Sequence, residues 1–318
     1  MSLSKISGKT PKEQTTLERL TGVNLTMTRW TGEVVCENKK KAGHFRRIRV
    51  CPSDDLAFFF KLRRRAMESW INRIGLKFMG CWIIPAHLTE NTHNLFSQIA
   101  EDFEINTKKI MSKYDTYLEN WCRKEPELAH LTKTVKFHPD TVMKRFRMEW
   151  SFFKLAPVDG VLLQEKFKKQ VEELDIILYE DIAELAENLW IKIFSWRETV
   201  TPKVQNSIKI IRRKLDNLNF ITSLTQATIK LIDAAIMNLP TKMNNSDVDS
   251  KDHEKLKNLI WILKDPEMNM TISQRISEGQ SPLEALEEAG VKRILPEKTE
   301  LEEDGLRRHA PPAARDDL

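Results

Sequence analysis

VLLQEKFKKQVEELDIILYEDIAELAENLWIKIFSW, residues 161–196, is the stretch that decides the class of this fold. Its apolar positions Leu163, Phe167, Val171, Leu174, Leu178, Ile182, Leu185, Leu189, Ile193 and Trp196 recur in steps of four, four and three. An eleven-residue repeat averages about 3.67 residues per turn, so the stripe runs almost straight along one side of a long helix. A helix of about 38 residues spans roughly 57 Å at about 1.5 Å per residue. Thr201 and Pro202 then supply a cap and a first-turn proline. A second long helical stretch follows, with Val204, Ile208, Ile211, Leu215, Leu218, Leu224, Leu231, Ala235 and Leu239 before Pro240. The two stretches are expected to form one antiparallel, coiled-coil-like hairpin over 158–240.

Working towards the N-terminus, residues 1–18 are polar and read as a disordered tail. GVNLTMTRW, 22–30, alternates Val23, Leu25 and Met27 with polar neighbours, the period of a strand. RRIRV, 46–50, is expected to pair with it across the basic loop CENKKKAGHF. Ser53, followed by Asp54 and Asp55, is expected to cap a helix carrying Leu56, Phe59, Phe60, Met67, Trp70 and Ile74. GLKFMGCWIIP, 75–85, reads as an extended crossover. From Thr92 to Cys122 the positions Leu95, Ile99, Phe103, Ile110, Tyr114, Leu118 and Trp121 predict one helix of about 30 residues. A shorter helix is expected after Pro139, with Val142, Phe146 and Trp150 at intervals of four.

Beyond the hairpin, 241–252 is a polar linker, and 253–296 carries short helices, among them HEKLKNLIWILKD. Ser281, Pro282 and Glu284 make a capping box, with Gly290 as the expected stop, and 297–318 reads as a disordered tail. The fold class is therefore mainly α, with a small mixed part containing a short β-hairpin inside a mostly helical domain at 19–157.

Glycine is scarce, at 10 of 318 residues, in keeping with long helices. No stretch approaches the roughly 18 to 20 apolar residues of a membrane span, and the N-terminus has no apolar signal core. A cytoplasmic protein without a membrane role is expected. A membrane-perturbing hairpin is disfavoured because its least charged part, 220–237, still holds Lys230 and Asp233.

The residues offer no enzyme signature: no phosphate loop, nucleophile elbow or metal-binding histidine pair. Cys36, Cys51, Cys81 and Cys122 are unevenly spaced and read as reduced thiols, and Cys122 with His130 and His138 has no tetrahedral spacing. The expectation is no catalytic residue, no metal and no cofactor. Basic residues are more informative. Residues 1–75 hold 16 Lys and Arg against 7 Asp and Glu, a surplus of 9. Lys39, Lys40, Lys41, Arg46, Arg47 and Arg49, with Arg63, Arg64 and Arg65 as a neighbouring helical face, are the candidate nucleic-acid contacts. A solvated surface is the competing reading, and Trp30 and Phe45 stand as either base-stacking or core residues.

The order of landmarks also carries a resemblance. Leu62, Arg63, Arg64, Arg65 and Ala66, then GLKFMGCWIIP, Phe103, Tyr114, Asp115, Trp121, Arg145, Phe146, Phe152 and Phe153 resemble the bacterial domain-of-unknown-function family numbered 3150. Its members sit on plasmids, integrative elements and phages, and the likeness covers about residues 20–240. That pattern usually has small or apolar residues at Cys81 and polar ones near His87, so neither is expected to be catalytic. The resemblance implies neighbours of two kinds, a MoxR-like AAA ATPase and a von Willebrand A-type protein. The leading expectation is a non-enzymatic adaptor that docks such partners, or itself, through the hairpin. The alternative is weakly sequence-specific nucleic-acid binding by the basic N-terminal third.

Overall fold

The computed structural model describes residues 16–37, 45–126, 139–156, 161–194, 204–237, 239 and 250–294. The expected tail at 297–318, nearly all of the tail at 1–18 and most of the linker at 241–252 lie outside the described residues, as do Lys39, Lys40, Lys41, His130 and His138. The chain divides into two compact units that meet between Glu173 and Leu174, where the sequence placed its boundary at 157. The helical stripe runs through that junction, because periodicity marks a helix and not the core it serves.

The first unit is built on a four-stranded antiparallel sheet of order β4-β5-β1-β6: β1 is Leu20–Thr28, β4 Leu76–Phe78, β5 Cys81–Pro85 and β6 Arg147–Phe153. A separate ribbon pairs β2, Glu33–Glu37, with β3, Phe45–Arg49. RRIRV thus pairs with its sequence neighbour and not with β1, both of whose edges are taken by β5 and β6. GLKFMGCWIIP is a hairpin rather than a crossover. Met79 and Gly80 form its two-residue turn, with φ of 48° and 80°, the left-handed pair that matches the twist of the flanking strands.

The shorter helix expected after Pro139 stops at Met143, and Trp150 lies on β6. An interval of four is also a multiple of two, so Phe146 and Trp150 fit a strand equally well, and Met148, Trp150 and Phe152 do alternate against exposed neighbours. Helices α1 (Ser53–Ala66), α2 (Thr89–Ser112) and α3 (Tyr114–Lys124) complete the core, with the short α4 at Pro139–Met143. The single helix expected over 92–122 is interrupted at Lys113 (φ −98°, ψ 0°). Phe59 packs edge-on to Phe103 at 4.9 Å, and Trp30 edge-on to Tyr114 at 5.7 Å. Helix α5, Val161–Glu172, belongs to this unit, where Phe167 meets Phe78 at 6.5 Å.

The second unit is helical: α6 (Leu174–Leu189), α7 (Val204–Asn217), α8 (Leu224–Ile236), α9 (Ser250–Leu263), α10 (Pro266–Ser277) and α11 (Pro282–Ile294). The expected second arm of the hairpin is not continuous. It folds back between α7 and α8, so that Arg212 grips Asp233 through both carboxylate oxygens at 2.6 and 2.9 Å. The Thr222 hydroxyl accepts the Leu224 N–H at 3.4 Å, and the Thr225 hydroxyl donates to the Thr222 carbonyl at 2.8 Å. Such local bonds compete with helix continuation. The interval of six from Leu218 to Leu224 had already broken the stripe.

Tyr179, Thr228 and Ser273 join α6, α8 and α10 through buried hydroxyl contacts of 3.0 and 2.7 Å. Gly290 does not stop its helix, which runs on to Ile294. It lets α11 approach α9, where an added Cβ would lie 2.5 Å from the Asn258 amide nitrogen.

Candidate functional site

The chemistry-bearing residues of the sequence gather along α1 of the first unit. At its N-terminal end Pro52, not the expected Ser53, takes the cap position, Ser53 is already the first helical residue and no side chain caps the helix, while Arg49 closes strand β3 just before. Val50 and Cys51 both donate backbone N–H groups to the Gly32 carbonyl, at 2.9 and 3.1 Å, which fixes the ribbon against the start of α1. Across from it stands the last turn of α3. The space between is a cavity of about 470 Å³ walled by Cys51, Tyr117 and Trp121 and rimmed by Arg49, Arg123 and Lys124.

Among the described residues no carboxylate lines this cavity, though acids stand behind two of its cations. Glu33 lies 2.9 Å from Arg49, and Glu119 lies 3.9 Å from Arg123. All four side chains are at or near the surface, where an ion pair contributes about 0–1 kcal/mol and leaves the cation available to a competing anion. Tyr117 donates its hydroxyl to Asp55 at 2.7 Å. Burial first, and that bond second, push its phenol well above the ordinary range.

The Cys51 thiol, 1% exposed, is pushed up to about 11 by burial and then by Asp55, against the opposing pull of Arg49 and Arg29. It is a wall and not a nucleophile, since the thiolate is the reactive form. At pH 8 a rise from 9.0 to about 11 leaves about a hundredfold less thiolate, so iodoacetamide should label Cys51 about a hundredfold more slowly in the native than in the unfolded chain. Peptide mapping checks this, and rapid native labelling would refute it. The sign for stability follows, because a raised thiol pKa contributes stability that is present below about 9 and lost as pH rises through about 11.

From Arg49 the positive charge continues along the helix. Arg29 is held below its ordinary pKa by burial and by the nearby Arg49, and its guanidinium carbon sits 4.0 Å above the ring of Phe60. Phe60 is 56% exposed, so part of its ring stays open to solvent beside Arg29. Arg29, Phe60 and Arg63 share a narrow cleft of about 60 Å³ with Met27, Phe59 and Phe103. A track of cations with an aromatic ring in its path therefore runs Lys124, Arg123, Arg49, Arg29, Phe60, Arg63.

Of the residues expected from sequence, Arg49 and Arg63 lie on this track, and Arg47 is exposed on β3. Arg46 pairs with Cys36 in the ribbon, and its side chain lies outside the described residues. Arg64 and Arg65 do not extend a common face. Successive helical residues point about 100° apart, and these two turn to Glu68 at 2.9 Å and Asp102 at 3.4 Å. Trp30 is core, fully buried and donating its indole N–H to the Glu33 carbonyl at 3.0 Å. The Phe45 side chain lies outside the described residues.

Sequence reasoning missed Arg29, Phe60, Arg123 and Lys124. Arg29 and Phe60 looked like ordinary members of their elements, and α3 ends 75 residues after Arg49 (124 − 49), so no local signal joined them.

Cys81 and His87 also part company. Cys81 starts β5, where its thiol faces the Phe78 carbonyl at 3.0 Å, and His87 lies beyond the strand's other end. A five-residue strand puts roughly 17 Å between such positions. Among the described residues no cluster of three or more His, Cys, Asp and Glu is placed to hold a metal ion. None of the described helices is long and apolar enough to cross a membrane.

A family model with the description "Protein of unknown function (DUF3150)" matches residues 17–265, which takes in the sheet, the cavity and the second unit as far as α9. No curated protein and no solved structure matches the chain.

Proposed function

The chain belongs to the DUF3150 family, and from that premise we propose that it is a non-catalytic, weakly sequence-specific nucleic-acid-binding protein of a bacterial mobile element or phage. The observation that carries this reading is the cationic track along α1, from Lys124 through Arg49 and Arg29 to Arg63, with exposed Phe60 in its path. Phosphates follow cations without regard to sequence, and an exposed ring offers a stacking surface that every base accepts.

Five such cations predict a log–log salt slope of roughly −3 to −5 on duplex DNA, measured by fluorescence anisotropy between about 50 and 200 mM salt. Neutralising Arg49, Arg123 and Lys124 to glutamine should make the slope shallower by about 2 to 3, since each lost phosphate contact removes about 0.9. Binding that ignores salt, or that survives the triple substitution unchanged, would reject the track.

A protein adaptor working with a MoxR-like AAA ATPase and a von Willebrand A-type protein is the second reading. Ile176 and Ile191, 45% and 52% exposed on the second unit, support it as apolar contact points. The length of an unbroken hairpin does not, because α7 and α8 fold back on each other. Affinity purification from the native host under mild conditions tests it, and recovery of the bare monomer counts against it.

A further inference from the structure

We propose that the cavity at the start of α1 holds one nucleoside phosphate unit, and that its three rim cations take the phosphate. The proposal rests on the nucleic-acid reading but names a specific occupant for one part of the track.

Size is the first argument. About 470 Å³ falls in the range of about 300–1,000 Å³ typical of small-molecule sites, too small for a duplex and sufficient for one nucleotide. Charge is the second. Arg49, Arg123 and Lys124 line the cavity from two different elements, β3 and the end of α3, and none of the described lining residues is acidic. A phosphate there replaces the weak surface pairing to Glu33 and Glu119 with bonds to a doubly charged anion, which an arginine fork matches in two-pronged geometry.

The wall chemistry is the third argument. Tyr117 and Trp121 give the inner side a flat aromatic character suited to a base, and Asn120 adds an amide with both donor and acceptor for base edges. The Tyr117 hydroxyl is already committed to Asp55, and the Cys51 thiol stays protonated, so neither brings a negative charge to the phosphate.

The test is isothermal titration of the full chain with adenosine monophosphate, adenosine and inorganic phosphate at about 50 mM salt, beside an Arg123→Gln, Lys124→Gln double variant. Both replaced side chains are exposed, and circular dichroism verifies that the variant folds. The expected result is that the nucleotide binds about tenfold or more tightly than either fragment, and about tenfold or more weakly to the variant, the scale of one charge-assisted hydrogen bond. Competition between a strand with a terminal phosphate and its hydroxyl-ended twin then names the source. Preference for the phosphorylated strand assigns the cavity to strand ends, and equal competition assigns it to the free nucleotide.

Oligonucleotide anisotropy on the same sample separates the two claims. No heat with the nucleotide while the oligonucleotide binds overturns the cavity proposal alone. Nucleotide binding without oligonucleotide binding overturns the track alone. Inorganic phosphate binding as tightly as the nucleotide also overturns the proposal.

Discussion

Replacing Lys214 with alanine is expected to lower the stability of the helical unit by about 3 kcal/mol, the low end of the cost of leaving one partner of a buried ion pair behind, since the Asp181 side chain that remains is 24% exposed. Lys214 on α7 is 0% exposed and forms an ion pair with Asp181 of α6. Burial raises the Asp181 carboxyl above its ordinary range and lowers the Lys214 ammonium below its own, and in each case the partner's charge opposes that shift. Desolvation is thus the larger effect on both groups. The pair joins two helices at a net cost that each partner alone would make far worse.

The pH dependence follows from those directions. The raised Asp181 contributes stability that is present in acid and lost as pH rises through its raised value. The lowered Lys214 contributes stability that is present in alkali and lost as pH falls through its lowered value. Across neutral pH both charges are held at a disadvantage, so an Asp181→Leu, Lys214→Met double variant should recover most of what either single change loses. Scanning calorimetry on the full chain checks this: the double variant melts near the parent, and each single variant well below it. Single variants that melt with the parent would mean that water reaches the pair.

Trp30→Ala should cost the first unit about 3 to 5 kcal/mol, the usual range for removing a large buried aromatic side chain. Trp30 is 0% exposed and packs edge-on to Tyr114, and its indole N–H holds the Glu33 carbonyl at the start of β2. The residue therefore ties the basic ribbon to the core beneath the cavity. Trp30→Phe keeps most of the apolar contact but removes the donor and part of the buried ring volume, so its loss should be about 1 to 3 kcal/mol. With the ribbon loosened, Arg49 is no longer held at the rim, and binding should weaken in Trp30→Phe as well. Urea denaturation of the two variants checks the order. A phenylalanine variant as unstable as the alanine one would place the weight on the indole bond rather than on packing.

The helical class, the strand over GVNLTMTRW and the surplus of positive charge in the first 75 residues were legible in the residues alone. These are local properties: the apolar period reports which face of a segment is buried, and net charge adds without regard to fold.

The tertiary structure alone decided which segments meet. Arg46 to Val50 carried no mark that its partner would be Glu33–Glu37 and not β1, because pairing depends on which strand edges are already occupied. The stripe through residues 161–196 ran without interruption across the junction of two compact units, since one helical period serves either core. Phe146 and Trp150 kept a spacing that a helix and a strand share. Arg123 and Lys124 come to line one cavity with Arg49 only because Tyr117 ties α3 to Asp55 at the start of α1, and a meeting of residues so far apart in the chain is set by the core between them and has no local signature.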